Sequence, residues 1–197
     1  MTNNADLRVV KTKQVLQDAM LELIEEKGFE RISVKLLTER AQINRSTFYA
    51  HYYDKHDLLE CMIEEILLSF AEEVAPKSEE ELIQTKVPKA FFLRAFHYIY
   101  KYDYFFRVMM GKNGIPSFQR QMLKIVQSYM NERLSELHPN INKVGVPKDF
   151  FIYYVSHANL GIITYWLETG LKYSPRYMAE QLTNMTVDGP FSVAGLK

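Results

Sequence analysis

Apolar residues recur along this chain at the spacing of a helix and nowhere at the spacing of a strand. Leu16, Ala19, Met20, Leu23 and Ile24 fall at i, i+3, i+4, i+7 and i+8, which is one helix face. Leu58, Leu59, Met62, Ile63, Ile66, Leu67 and Phe70 line a longer one. Phe92, Ala95, Phe96 and Ile99, then Met122, Ile125, Val126 and Tyr129, repeat the pattern. A chain written this way buries its stripes helix against helix, so the expected fold class is all-α. The 197 residues, 47% of them hydrophobic, suffice for two small cores.

Local punctuation divides the pattern into about nine helices. Gly28 ends the first, because glycine tolerates positive φ at a C-cap. Ser33 is an N-cap for a short helix to about Arg40. Gln42 and Ile43 make a tight break, and Asn44 opens a third helix. Asp54 caps the fourth, with Asp57 three residues on, where an acid suits a helix N-terminus. Ala75 to Val87, with Pro76 and the Glu79-Glu80-Glu81 run, reads as a connection with a solvated acidic surface. Pro88 opens a fifth helix. Asp103 to Met110 is short and ends at Gly111 and Asn113-Gly114. Pro116 starts the next, Pro139 to Pro147 is a loop, and Lys148 to Thr169 is a long helix closed by Gly170. Ser174-Pro175 begins the last, and residues 187–197 form a loose tail.

The segment from Ser33 to Leu58 carries the functional signal. Two short helices joined by a tight turn stand between two long ones. Leu36, Leu37, Ala41, Ile43, Phe48 and Tyr52 can make a small shared core. What remains of the third helix is Arg45, Ser46, Thr47, Tyr49, Ala50 and His51, nearly all hydrogen-bonding types. A helix this short does not hold itself. A scaffold must present its polar face, which is how a recognition helix enters a major groove.

Charge is informative only locally. The whole chain is formally neutral, and residues 1–60 hold nine basic and ten acidic side chains. Arg8, Lys11 and Lys13 nevertheless gather at the start of the first helix. Lys35, Arg45 and Lys55 fall at the starts of the next three, where free N–H groups already favour phosphate. Arg45 is the strongest single candidate, since arginine pairs bidentately with guanine.

Thr47-Phe48-Tyr49-Ala50-His51-Tyr52-Tyr53-Asp54-Lys55, followed by Leu58, resembles the TetR family DNA-binding domain, over about residues 8–68. The resemblance implies an N-terminal three-helix domain with its helix-turn-helix at about 31–50. It places Arg45 and Ser46 toward base edges. Thr47, Tyr49 and Lys55 match phosphate-holding positions, and His51 matches one that touches base or backbone. Lys35 completes the expected DNA-binding set. Gln42 stands where the family commonly has glycine; a positive φ there costs glutamine roughly 1 kcal/mol. The implied function is a DNA-binding transcription regulator, most often a repressor, acting as a cytoplasmic homodimer on a palindromic operator in double-stranded DNA. The alternative is a protein-interaction coregulator with weak or lost DNA binding, and the neutral N-terminal charge motivates it.

Beyond the connection, residues 76–186 are expected to form a helical ligand-binding and dimerisation domain. Tyr102 to Phe106, Gly161 to Leu167 and Gly170 with Ser174-Pro175 resemble the TetR subgroup that includes dihydroxyacetone kinase operon regulators. Tyr98, Tyr102, Phe105, Met109, His157 and Tyr165 are candidates for an apolar effector pocket with a few polar handles. The effector itself, a small molecule or a protein, is left open by the sequence. Val155, Ala158, Ile162 and Trp166, with Met178 and Leu182 of the last helix, are candidates for a twofold four-helix interface.

Other functions find no footing. The histidines at 51, 56, 97, 138 and 157 have no paired metal-ligand spacing. No phosphate-binding glycine loop, nucleophile elbow or carboxylate cluster appears. The expectation is therefore no enzyme, no metal and no cofactor. One cysteine, Cys61, excludes a disulfide scaffold and fits a reducing compartment. The polar start, Met1 to Asp6, carries no secretory signal. Phe150 to Leu167 lacks Asp, Glu, Lys and Arg, but Ser156, His157, Asn159 and Gly161 interrupt it. It reads as a buried helix, with no membrane partner.

Overall fold

The structure is a computed structural model that describes residues 4–76, 89–137 and 146–196. Its elements run α1 (Asn4–Lys27), a 3-10 turn (Phe29–Arg31), α2 (Val34–Arg40), α3 (Arg45–Tyr49), α4 (Lys55–Val74), α5 (Lys89–Lys101), α6 (Asp103–Met110), α7 (Pro116–Leu137), α8 (Lys148–Glu168), α9 (Pro175–Asp188) and α10 (Pro190–Val193). No strand occurs among the described residues. Pro88 and most of the expected connection and 139–147 loop lie outside them, but the helix expected to begin at Pro88 is described from Lys89, with Phe92, Ala95, Phe96 and Ile99 buried. The end of the chain is more regular than expected: α9 reaches Asp188, and α10 follows.

The chain divides into two compact units. The first holds the described residues up to Leu68 together with Tyr104–Phe118; the second holds Ser69–Asp103 and the residues from Gln119 onward. The sequence reading assigned Tyr104–Phe118 to the C-terminal domain. Two polar ties bring them to the first unit instead. The Tyr104 hydroxyl donates to the Glu25 carboxylate at 3.2 Å, and the Asn113 amide donates to the Glu25 carbonyl at 2.9 Å.

In the first unit, Leu16, Met20, Leu23 and Ile24 of α1 are fully buried, as their spacing requires. The chain leaves α1 through Gly28 at φ 79 and ψ 153, a positive-φ extended shape that a side chain rarely adopts. Ser33 accepts from Leu36 N and starts α2. Arg40 ties α2 back to α1, with two bonds of 2.8 Å to Glu26 and one of 2.8 Å to Glu22. Gln42 then turns the chain at φ 55, in the left-handed region. Asn44 opens α3 by position alone: its side chain makes no cap bond. Asp54 caps α4 by accepting from His56 N and Asp57 N, while Asp57 reaches back to Tyr53 N.

In the second unit, Trp166 of α8 is wholly buried. It stands edge-on to Phe96 of α5 with centroids 5.2 Å apart, and its Nε1 donates to the Tyr173 carbonyl at 2.9 Å. Helices α9 and α5 pack on each other, α9 burying Met178, Ala179 and Leu182. This corrects half of the expected twofold interface. Trp166, Met178 and Leu182 are core residues of one protomer, at 0%, 5% and 4% exposure. They leave no surface for a partner. Val155, Ala158 and Ile162 remain accessible on α8, beside exposed Phe150, Tyr154 and Tyr165.

Two substitutions test this account. Gln42→Gly is expected to raise stability by about 1 kcal/mol, since glycine carries no Cβ penalty at positive φ. Phe48→Ala is expected to cost about 3–5 kcal/mol, the usual loss for a wholly buried phenylalanine. Urea midpoints read both; a Gln42→Gly protein less stable than wild type would refute the strained turn.

Candidate nucleic-acid interface

The expected DNA-binding residues converge on α3 and the helix starts around it. Phe48 of α3 is 0% exposed and Tyr52 just beyond it 4%. Burial pushes the Tyr52 phenol up to about 12. With Phe48 pinned inward, the opposite side of a single turn must face out. Arg45, Ser46 and Tyr49 are exposed there, and Tyr49 is 59% exposed while its ring meets the edge of Phe48 at 5.4 Å. Thr47 and His51 are half-buried at the margin.

Lys35, at the start of α2, is exposed, with only a 3.8 Å contact to Glu39 one turn on. An exposed pair of this kind contributes little and does not hold the amine from another anion. Lys55 differs. Its Nζ donates to the Phe29 and Glu30 carbonyls at 3.1 and 3.2 Å and lies 4.5 Å over the Phe29 ring. The expected phosphate ligand is thus also a clamp that fixes the start of α4 to the α1–α2 connection. Tyr53, at 86% exposure, presents a bare phenol next to this surface. The sequence reading named Tyr53 in its motif without giving it a role; its signal was a second aromatic immediately after the one the core uses.

The balance of charge is explained by pairing. Arg40 is engaged by Glu22 and Glu26 on the α1 side and does not face the α3 surface as a free cation. The same pairing holds the Glu26 carboxyl below its ordinary range. Arg45 has no carboxylate partner within salt-bridge distance among the described residues, and neither has Lys55.

The six expected effector-pocket residues are divided between the two units. Phe105 and Met109 belong to the first unit, where Phe105 meets Phe118 at 5.5 Å and Met109 is wholly buried. In the second unit, Tyr98 packs between Phe70 and Tyr102. His157 lies on Tyr153 at 3.9 Å, with Nδ1 2.8 Å from the Tyr153 carbonyl. Tyr165 is 51% exposed. A cavity in this unit is walled instead by other residues, among them Phe91, Phe92, Phe96, Val126, Ile163 and Leu182. No helix among the described residues is long and apolar enough to cross a membrane, and no cluster of three or more of their His, Cys, Asp or Glu side chains is placed to hold a metal ion.

A buried aromatic pin beneath a short polar helix, two capped helices beside it and cationic helix starts define a helix-turn-helix protein of the DNA-binding regulator class. Comparison with known proteins gives the family. Residues 16–62 match the model described as bacterial regulatory proteins, tetR family, and residues 86–188 match that for a transcriptional regulator C-terminal region. The chain belongs to the TetR family of transcription regulators. It is 27% identical over 180 residues to the HTH-type transcriptional regulator YxbF of Bacillus subtilis, an alignment that covers 89% of this chain and 44% of that protein. The chain thus spans less than half the length of this curated relative. A TetR transcriptional regulator from Streptococcus agalactiae shares the fold, with a TM-score of 0.66 at 20% identity, over 92% of this chain and 96% of the other. The dihydroxyacetone kinase operon activator DhaS does so with a TM-score of 0.52 at 17% identity, over 90% and 94%. The family and this relative are regulators, not enzymes.

Acid should loosen the start of α4. Backbone N–H groups of Asp57 and His56 hold the Asp54 carboxyl below its usual 3.8. A depressed carboxyl adds stability above the unfolded value, and that contribution disappears as pH falls through the folded one. Asp54→Asn should therefore flatten the acid limb of a denaturation profile measured from pH 6 down to 2. A variant profile parallel to wild type would remove Asp54 from this account.

Proposed function

We propose that the protein is a cytoplasmic homodimeric regulator that binds a palindromic operator through a pair of α3 helices, most simply as a repressor. A ligand or partner at the C-terminal unit would set its operator affinity. One observation carries the DNA reading: Arg45, Ser46 and Tyr49 all stand exposed on a helix whose Phe48 is wholly buried. Arg45 is the base reader in this scheme. Lys35, Thr47, Tyr49 and Lys55 hold phosphates, and His51 sits at the edge of the contact. The accessible face of α8, with Val155, Ala158 and Ile162, supports the dimer; two half-sites one DNA turn apart require two recognition helices. DhaS acts in the activating sense, so the sign of regulation is a separate question from the mode of binding.

The coregulator reading draws its support from the neutral N-terminal charge. Mobility shift with DNA from the region upstream of the chain's own gene separates the two. The operator reading expects a saturable shift that weakens steeply with salt. Arg45→Ala should cost about tenfold or more in affinity, from the 1–3 kcal/mol of a bidentate base contact. A folded dimer that shifts no DNA at low salt, or regulation in cells unchanged by Arg45→Ala, would favour the coregulator.

A further inference from the structure

The turn between α3 and α4 carries a side chain that the fold does not use. Tyr53 is 86% exposed, more than any other large apolar or aromatic side chain described. Its phenol makes no hydrogen bond or ring contact among the described residues. Tyr52, one position earlier, is sunk in the core, so the extended step after it turns Tyr53 outward. The root of Tyr53 is fixed all the same. Its backbone N–H donates to the Asp57 carboxylate at 2.7 Å. On one side, His51 N and Tyr52 N both donate to the Phe48 carbonyl at 2.9 Å, which carries the turn straight on from α3. On the other, the Lys55 amine is held on the Phe29 and Glu30 carbonyls. A bare phenol thus stands on a turn tied down at both ends.

We infer that Tyr53 is a further DNA contact, whose hydroxyl donates to a phosphate oxygen of the duplex backbone at the end of α3 nearest α4. The inference rests on the operator reading. Tyr53 is two residues from His51 and two from Lys55, at most about 7 Å of chain either way. A duplex that meets both must run past the phenol. The kind of donor follows from its neighbours. Asp54 accepts from His56 N and Asp57 N, and Asp57 accepts from Tyr53 N, so two carboxylates flank the position. An ammonium there would be drawn onto them. A phenol carries no charge, and its O–H still donates to phosphate. Such a contact holds no sequence information. Tyr53 therefore sets how firmly α3 is seated and not which bases it reads.

Tyr53→Phe removes the hydroxyl and keeps the ring. Fluorescence anisotropy of the purified full chain over a range of salt compares two labelled duplexes, one from upstream of its own gene and one of unrelated sequence. The variant is expected to lose about tenfold on both, the scale of one hydrogen bond to a charged acceptor. Its salt slope should stay at the wild-type value, because a neutral donor releases no counterion, and its melting temperature should not move. Arg45→Ala on the same duplexes should lose chiefly on the upstream one. Nitration by tetranitromethane, mapped by mass spectrometry, is a readout that needs no variant. Tyr53 should react well ahead of buried Tyr52, and saturating duplex should suppress its reaction. Wild-type affinity of Tyr53→Phe on both duplexes, a loss confined to the upstream duplex, or undiminished nitration of Tyr53 under saturating duplex would each overturn the inference. With wild type still binding its upstream duplex saturably, those results leave the operator reading standing. A folded chain that binds neither duplex at low salt removes the operator reading, and the role of Tyr53 with it.

Discussion

Everything the N-terminal unit offers to a partner depends on burying one ring, that of Phe48. Helix α3 has five residues, too few to be stable through its own hydrogen bonds. Its orientation is fixed because Phe48 and Tyr52 sink into the space beside α1 and α2, leaving Arg45, Ser46 and Tyr49 no inward direction. The polar face is thus a product of core packing. The same pin explains how Gln42 can be held at φ 55. A cost of about 1 kcal/mol in the turn is small beside the gain from burying an aromatic side chain.

Electrostatics then divides the unit into two sides. Acidic residues of α1 are consumed in holding the scaffold: Glu22 and Glu26 fix Arg40 of α2, and Glu25 receives Tyr104 and Asn113 from the inserted segment. The cations that remain near α3, Lys35 and Arg45, have little or no acidic competition. A neutral sum therefore coexists with a surface suited to phosphate, since the charges cancel across the unit and not across its α3 face. Lys55 belongs to both sides at once, because its amine already serves two carbonyls of the scaffold.

Much of this was legible in the residues. Caps act within three or four positions, so Ser33, Asp54 and Ser174 announced their helices, and each makes the expected local bond. The apolar stripes of α1 and α4 likewise foretold which faces are buried. The motif around Thr47 to Lys55 carried the family. Pairings across long stretches of chain were not legible. Tyr104 and Asn113 lie 79 and 88 positions from Glu25, and nothing in the pattern of α6 told which core it would join. The residues expected at an effector pocket are divided between the two units, and the pattern did not show this: periodicity gives the face a residue shares, not the helix that face will meet.

The sequence by itself determined the helical class, the order and caps of the elements, and the short polar helix that defines the family, because these depend on neighbours a few positions apart. Tertiary structure alone decided that Trp166, Met178 and Leu182 serve the protomer's own core and that Lys55 is a clamp. Those outcomes depend on which distant surfaces fill each other's gaps. Close packing settles them only when all the helices are in place.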